Sequence, residues 1–281
     1  MITQLECIPC TVNSYLRLVE SEVVPPEKRE ELMRQLLHFL SGVDYQLSPP
    51  AMGRELHRMI RDSLQDADPY REIKEKYNQM MLDLYPTFRE MIEQSLTPFE
   101  TAMRLAIGGN VIDFGAKYQF KVMETIQRAM EHELSIDDSP SLKKALGSAR
   151  SLLYIGDNCG EIVLDKLFLE YLDVPEKTFV VRGGPVINDI TLEDARLVGM
   201  DQVARVVSTG DDSPGAVWES TSGEFKELFK EADVVISKGQ GNLEGLMEVR
   251  HGHIYYLLVT KCELIADRIG CGKGEFVVRK G

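Results

Sequence analysis

The chain has 281 residues, 43% of them hydrophobic, enough for one large domain or two ordinary ones whose cores need no disulfide staples. Its formal charge of −13 repels nucleic acid and anionic membrane, so any phosphate recognition has to come from a local cationic pocket. The opening MITQLECIPC lacks a secretion signal, no apolar run is long enough to span a bilayer, and five cysteines suit a reducing compartment; a cytoplasmic protein with no membrane partner is expected.

Cys7 and Cys10 form C-I-P-C immediately before a helical stretch. A helix N-terminus lowers a thiol pKa, so redox chemistry or a share in a second metal site is conceivable, beside the plainer reading of unreactive thiols. From Thr11 to about Met130 the pattern is helical throughout. The segment PPEKREELMRQLLHFLSG opens with prolines at a helix start, and its Leu32, Leu36, Leu37 and Leu40 are expected on one face. Further helices are predicted over 53–64, 69–84, 86–94 and 98–106, punctuated by Pro50, Pro69, Pro86 and Pro98, where the ring is tolerated only near a helix start. Gly108 and Gly109 then break the pattern, which costs stability unless the backbone bends or approaches something closely. Asn110 and Asp113 follow the break and are candidates to line a cleft facing the second half of the chain, or simply to cap.

A helix over 118–133 and an acidic turn at 137–140 join the two halves. Strands are predicted at 151–155, 178–181, 204–207, 233–236 and 254–259, with 275–279 as a last edge strand. Helices between them are expected near 161–171, 192–197, 223–231, 243–249 and 263–268. Strands alternating with helices make an α/β fold with a mostly parallel, doubly wound sheet and helices on both faces. The expected organisation is an N-terminal all-helical domain over 1–130 followed by an α/β domain over 131–281.

In such sheets ligands sit beyond the carboxyl ends of the strands. Here those ends read G-D-N-C-G-E (156–161), R-G-G-P-V-I-N-D (182–189), S-T-G-D-D-S-P-G (208–215), S-K-G-Q-G-N (237–242) and T-K-C-E (260–263). A hard divalent cation takes carboxylate and amide oxygens, which Asp157, Asn158 and Asp189 offer, although a residue before Cys159 also suits a plain helix cap. Lys238 precedes a glycine turn, so its ammonium and the backbone around Gly239 and Asn242 are candidates for a phosphate dianion. Asp189 and Asp211 are both candidates to orient or deprotonate an attacking water, and Asp157 as a direct nucleophile stays open. The glycines Gly239, Gly241 and Gly245 also approach a dinucleotide fingerprint, with Lys261 as a partner for a 2′-phosphate; an NADP-linked oxidoreductase is therefore a rival reading. A non-catalytic metal or nucleotide binder is another. His251 and His253 flank a glycine and read as a turn before a strand. Loops typical of nucleoside-triphosphate motors, aspartyl-phosphate phosphatases, serine hydrolases and zincins are missing from the sequence.

Taken together, G-D-N-C-G-E, P-V-I-N-D-I-T and S-K-G-Q-G-N-L-E-G, with I-G-G-N-V-I-D-F-G earlier, resemble the damage-control phosphatases, also called the acidic-residue methyltransferase-1-like family. Its compact archaeal and bacterial members carry a cysteine pair like Cys7 and Cys10. The resemblance implies a helical domain on an α/β domain and a divalent metal (Mg²⁺, Mn²⁺, Co²⁺ or Ni²⁺) held by Asp157, Asn158 and Asp189. It also implies a lysine, here Lys238, that binds the phosphate of a small phosphorylated metabolite. A carboxyl methyltransferase activity, proposed for one branch, is the lesser alternative.

Overall fold

Short runs of consecutive, mostly apolar residues in the C-terminal half build a sheet that is covered on both faces. The structure, a computed structural model, describes residues 1–110 and 118–281. It opens with helices α1 (Cys7–Val19), α2 (Pro26–Gly42), α3 (Pro49–Leu64), α4 (Arg71–Asp83), α5 (Tyr85–Glu93), α6 (Pro98–Gly109) and α7 (Tyr118–Glu131). Next come β1 (Leu134–Asp137), α8 (Ser139–Leu146), β2 (Ser151–Ile155), α9 (Glu161–Glu170), β3 (Glu176–Val181) and α10 (Leu192–Leu197). The chain ends with β4 (Arg205–Ser208), α11 (Gly223–Glu231), β5 (Val234–Lys238), α12 (Gln240–Leu246), β6 (Ile254–Val259), α13 (Glu263–Ile269) and β7 (Phe276–Lys280).

The strands lie in the order β1-β7-β6-β5-β2-β3-β4. Neighbours from β6 to β4 run parallel, while β7 is antiparallel to β6 and carries β1 alongside it. The mostly parallel α/β class is as the sequence predicts, with one correction. The segment expected as a last edge strand is not an edge, because β1 covers it. β1 is four residues long and half-exposed, too short to show a period, and reads as part of an acidic turn.

Alternate residues of each strand enter different cores. Leu152, Tyr154, Phe179, Ile236 and Leu257 join α4, α5, α6, α7 and α9 on one face. Leu153, Ile155, Val180, Val235 and Leu258 meet α11, α12 and α13 on the other. Helices α1 to α3 keep a smaller core of their own around Tyr15, Leu32, Leu36, Leu56 and Ile60. Leu37, placed by its spacing on the buried face of α2, is instead 55% exposed: it lies one residue beyond Leu36, about 100° round the helix.

Helix α6 does not stop at its glycines, as the sequence suggested. A Cβ on Gly108 would lie 2.7 Å from the Ala129 Cβ, and one on Gly109 would lie 3.0 Å from Glu161 Cγ. The glycines let α6 press against α7 and α9, and that contact carries Ala106 and Asn110 to the sheet's carboxyl edge.

Candidate metal and phosphate site

Successive connections leave β2 toward β3 and β4 on one side, and β5 toward β6 on the other. The crevice at that reversal, between the ends of β2 and β5, is where open α/β sheets bind ligands. Asp157 and Asn158 follow β2, Lys238 ends β5, and Asp189 arrives from the loop after β3.

Backbone pairing brings the two acidic loops together. Asn158 and Asp189 form an isolated antiparallel bridge. Cys159 N–H donates to Asn188 O at 2.8 Å, and Ile190 N–H to Asp157 O at 3.1 Å. Ile187 adopts φ 44° within this loop, a left-handed conformation uncommon for a β-branched residue. The Arg182 guanidinium then ties the side chains, with Nε 2.6 Å from Asp189 Oδ2 and Nη2 3.2 Å from Asp157 Oδ1. From α6, Asn110 Nδ2 donates to Asp157 Oδ2 at 2.8 Å and to Glu161 Oε2 at 3.0 Å. Asn158 Nδ2 donates to the same two carboxylates, at 2.8 and 3.2 Å.

The end of β5 comes from the opposite side. Gly239 has φ 77° and ψ 162°, and a Cβ there would fall 2.0 Å from Asp157 Oδ2. Glycine is required at that position on both counts. Lys238 is fully buried, and its ammonium donates to Ala106 O at 2.8 Å, to Asp165 Oδ1 at 2.6 Å and to Glu161 Oε1. Burial works against the ammonium, but Asp165 and Glu161 outweigh it and hold its pKa above the ordinary lysine range. Tyr154 OH donates to Asp165 Oδ1 at 2.7 Å.

Counting charge across this cluster gives four carboxylates (Asp157, Glu161, Asp165 and Asp189) against two cations (Arg182 and Lys238), none more than 7% exposed. An excess of two buried negative charges is costly unless something neutralises it. Its symptom is visible in the carboxyls. Burial drives the pKa of Asp189 up, with Asp157 adding to the shift and Arg182 opposing it. Asp165 is raised in the same way, by burial and Glu161 against Lys238. A divalent cation matches the excess, and carboxylate and amide oxygens are the donors such an ion prefers. Asn110 Oδ1, buried and unpartnered among the described residues, adds a further free amide oxygen. No three His, Cys, Asp or Glu side chains among the described residues already converge on one point, because Arg182 lies between the two aspartates and the third expected ligand is an amide.

Two other sequence candidates, Asn242 and Asp211, are tied to the chain itself. Asn242 is fully buried and spends its amide on backbone: Nδ2 donates to Gly156 O and Lys238 O, and Oδ1 accepts from Ala216 N–H. Asp211 accepts from Arg54 Nη1 at 2.9 Å and from Ser213 within its own loop. Asp113 lies outside the described residues. Cys7 opens α1 half-buried, with burial pushing its thiol up, while Cys10 is exposed. Glu161, Asp165 and Arg182 escaped sequence reasoning. The signal for Arg182 was its place at a strand exit; Asp165 sits inside an apolar helix that Glu161 opens one turn earlier, and an acid among such residues asks for a buried cation.

The glycines that suggested a dinucleotide loop pack against the chain itself. Added Cβ atoms would strike Asp157 from Gly239, Pro214 O from Gly241 and Ala216 O from Gly245. That close packing accounts for the glycines without a dinucleotide.

Buried acids, an arginine and a lysine gathered at the switch point give the protein the layout of an α/β enzyme. The family model of the damage-control phosphatase ARMT1-like domain matches residues 3–277, and the chain belongs to that family. It is 33% identical to a damage-control phosphatase of Pyrococcus horikoshii over 99% of this chain and 97% of that protein. A damage-control phosphatase of Archaeoglobus fulgidus is 32% identical over 81% of each chain. The crystal structure of a DUF89 family protein from Pyrococcus horikoshii superposes with a TM-score of 0.89 at 32% identity, covering 100% of this chain and 99% of that one. The chain is accordingly a phosphatase of small phosphorylated metabolites. No helix among the described residues is long and apolar enough to cross a membrane.

Proposed function

We propose that the protein hydrolyses phosphomonoesters of small metabolites with a divalent cation held by Asp157, Asn158 and Asp189, in a site shared by the helical half (1–130) and the α/β half (131–281). The observation that carries this reading is the buried excess of two carboxylates between β2, β3 and β5. When bound, the ion supplies Lewis acidity toward a phosphate oxygen and orients the attacking water. Mg²⁺, Mn²⁺, Co²⁺ and Ni²⁺ all suit oxygen donors of this kind.

The chain's own groups do the remaining work. Glu161 and Asp165 hold Lys238 beneath the crevice, where its charge offsets that of the phosphate. Asn110 restrains Asp157 from the helical side, and Gly239 allows the β5 turn to lie against it. Water attacks phosphorus in line, the ester P–O bond breaks, and the alcohol departs with a proton. Asp189 and Asp211 are the two candidate bases; Asp189 is paired with Arg182, and Asp211 with Arg54 and Ser213.

The test is a panel of phosphometabolites assayed with each divalent ion after chelation, in the wild type and in Asp157→Ala and Asp189→Asn. Hydrolysis is expected to require added cation and to vanish in both variants. Cation-independent turnover, or turnover that survives Asp157→Ala, overturns the reading.

A further inference from the structure

We propose that Arg182, rather than the lysine at the end of β5, makes the direct cationic contact with the substrate phosphate; the proposal rests on the metal-phosphatase reading above. A guanidinium has five N–H donors in a planar fork. Arg182 is 1% exposed; its Nε donates to Asp189 and its Nη2 to Asp157. Nη1 is buried and has no partner among the described residues. A buried charged group with an unmet donor is expensive to keep in a folded protein, and in an enzyme it points to a ligand that supplies the acceptor.

The position of that free donor defines the ligand. It belongs to the same rigid plane whose Nε and Nη2 hold Asp189 and Asp157, so an acceptor bound at Nη1 lies within one guanidinium's width of the two aspartates. A neutral oxygen at Nη1 would satisfy one N–H, but an anion also meets the positive charge of the guanidinium in a buried setting. An oxyanion fits, and the fork geometry suits phosphate oxygens. Lys238 is in the opposite condition. An ammonium has three N–H donors, and Ala106 O, Glu161 and Asp165 take all three. To reach a phosphate it would have to abandon a buried carboxylate. Lys238 sets the charge of the site, and Arg182 grips the anion.

The experiment compares wild type with Arg182→Lys, which keeps the charge but removes the fork, and with Lys261→Met, which removes an exposed lysine whose charge acts on Asp189. Calorimetry measures Mg²⁺ binding alone, then inorganic phosphate binding to Mg²⁺-saturated protein, with circular dichroism to confirm folding. In Arg182→Lys, phosphate affinity is expected to fall about tenfold or more, the loss of a charge-assisted bond, and by a clearly larger factor than the Mg²⁺ affinity, which the loosened aspartates also lower. KM for a phosphomonoester should rise in parallel. Unchanged phosphate affinity overturns the proposal. So does a loss of Mg²⁺ affinity as large as that of phosphate, which would show that Arg182 only positions the aspartates. Loss of phosphate affinity in Lys261→Met but not in Arg182→Lys assigns the anion to Lys261 and overturns it as well. If wild type binds phosphate but no cation, the metal reading fails first, and this proposal falls with it.

Discussion

Replacing Gly239 by Ala should separate catalysis from stability. The new Cβ would lie 2.0 Å from Asp157 Oδ2, whereas ordinary contact begins near 3.4 Å, so the carboxylate or the turn has to retreat by at least about 1.4 Å. Misplacement of a catalytic group by roughly 1 Å costs on the order of a hundredfold in rate. The backbone at φ 77°, ψ 162° lies in a region that essentially only glycine occupies, with a penalty of about 1–3 kcal/mol for another residue. Cation-dependent hydrolysis should therefore fall by about a hundredfold or more, while Tm drops by only a few degrees in a chain of this size. Steady-state kinetics across a metal titration, paired with thermal melts, gives both quantities. A Gly239→Ala protein with activity within about threefold of wild type would refute the placement of Asp157 against the β5 turn.

Three further outcomes follow from the same geometry. Divalent cation should raise Tm, by about 2.7 kcal/mol of stabilisation at a hundredfold excess over Kd, and Asp157→Asn should abolish that gain in a melt with and without chelator. Lys74 is buried against Asp68 at 2.8 Å and Asp194 at 3.0 Å, so Lys74→Met strands two carboxylates and should cost about 3–5 kcal/mol in urea unfolding. His57 is buried against Tyr70 OH at 2.7 Å, and burial lowers its pKa to about 3, so the unfolded chain takes up a proton first as pH falls below about 6.5. Its contribution is complete above that pH and is lost on acidification toward 3. At pH 5 about 2 kcal/mol should be gone, and His57→Gln should flatten that part of the stability–pH profile; an unaltered slope would place the titration elsewhere.

What was legible in the sequence was whatever local period and local chemistry encode. β2 and β6 were readable to the residue because both are buried apolar runs bounded by polar exits, and the acid and amide after β2 made that exit a candidate site. The order of the strands was not readable, and neither was which exits meet, because pairing between distant segments leaves no local trace. Only the tertiary structure placed β2 beside β5, threaded α6 close enough for Asn110 to touch Asp157, and exposed the roles of Glu161, Asp165 and Arg182. The physical reason is burial. A strand-exit arginine and a helical glutamate look like ordinary surface charges until folding removes their water, and then the balance of charge among them dictates what the crevice must bind.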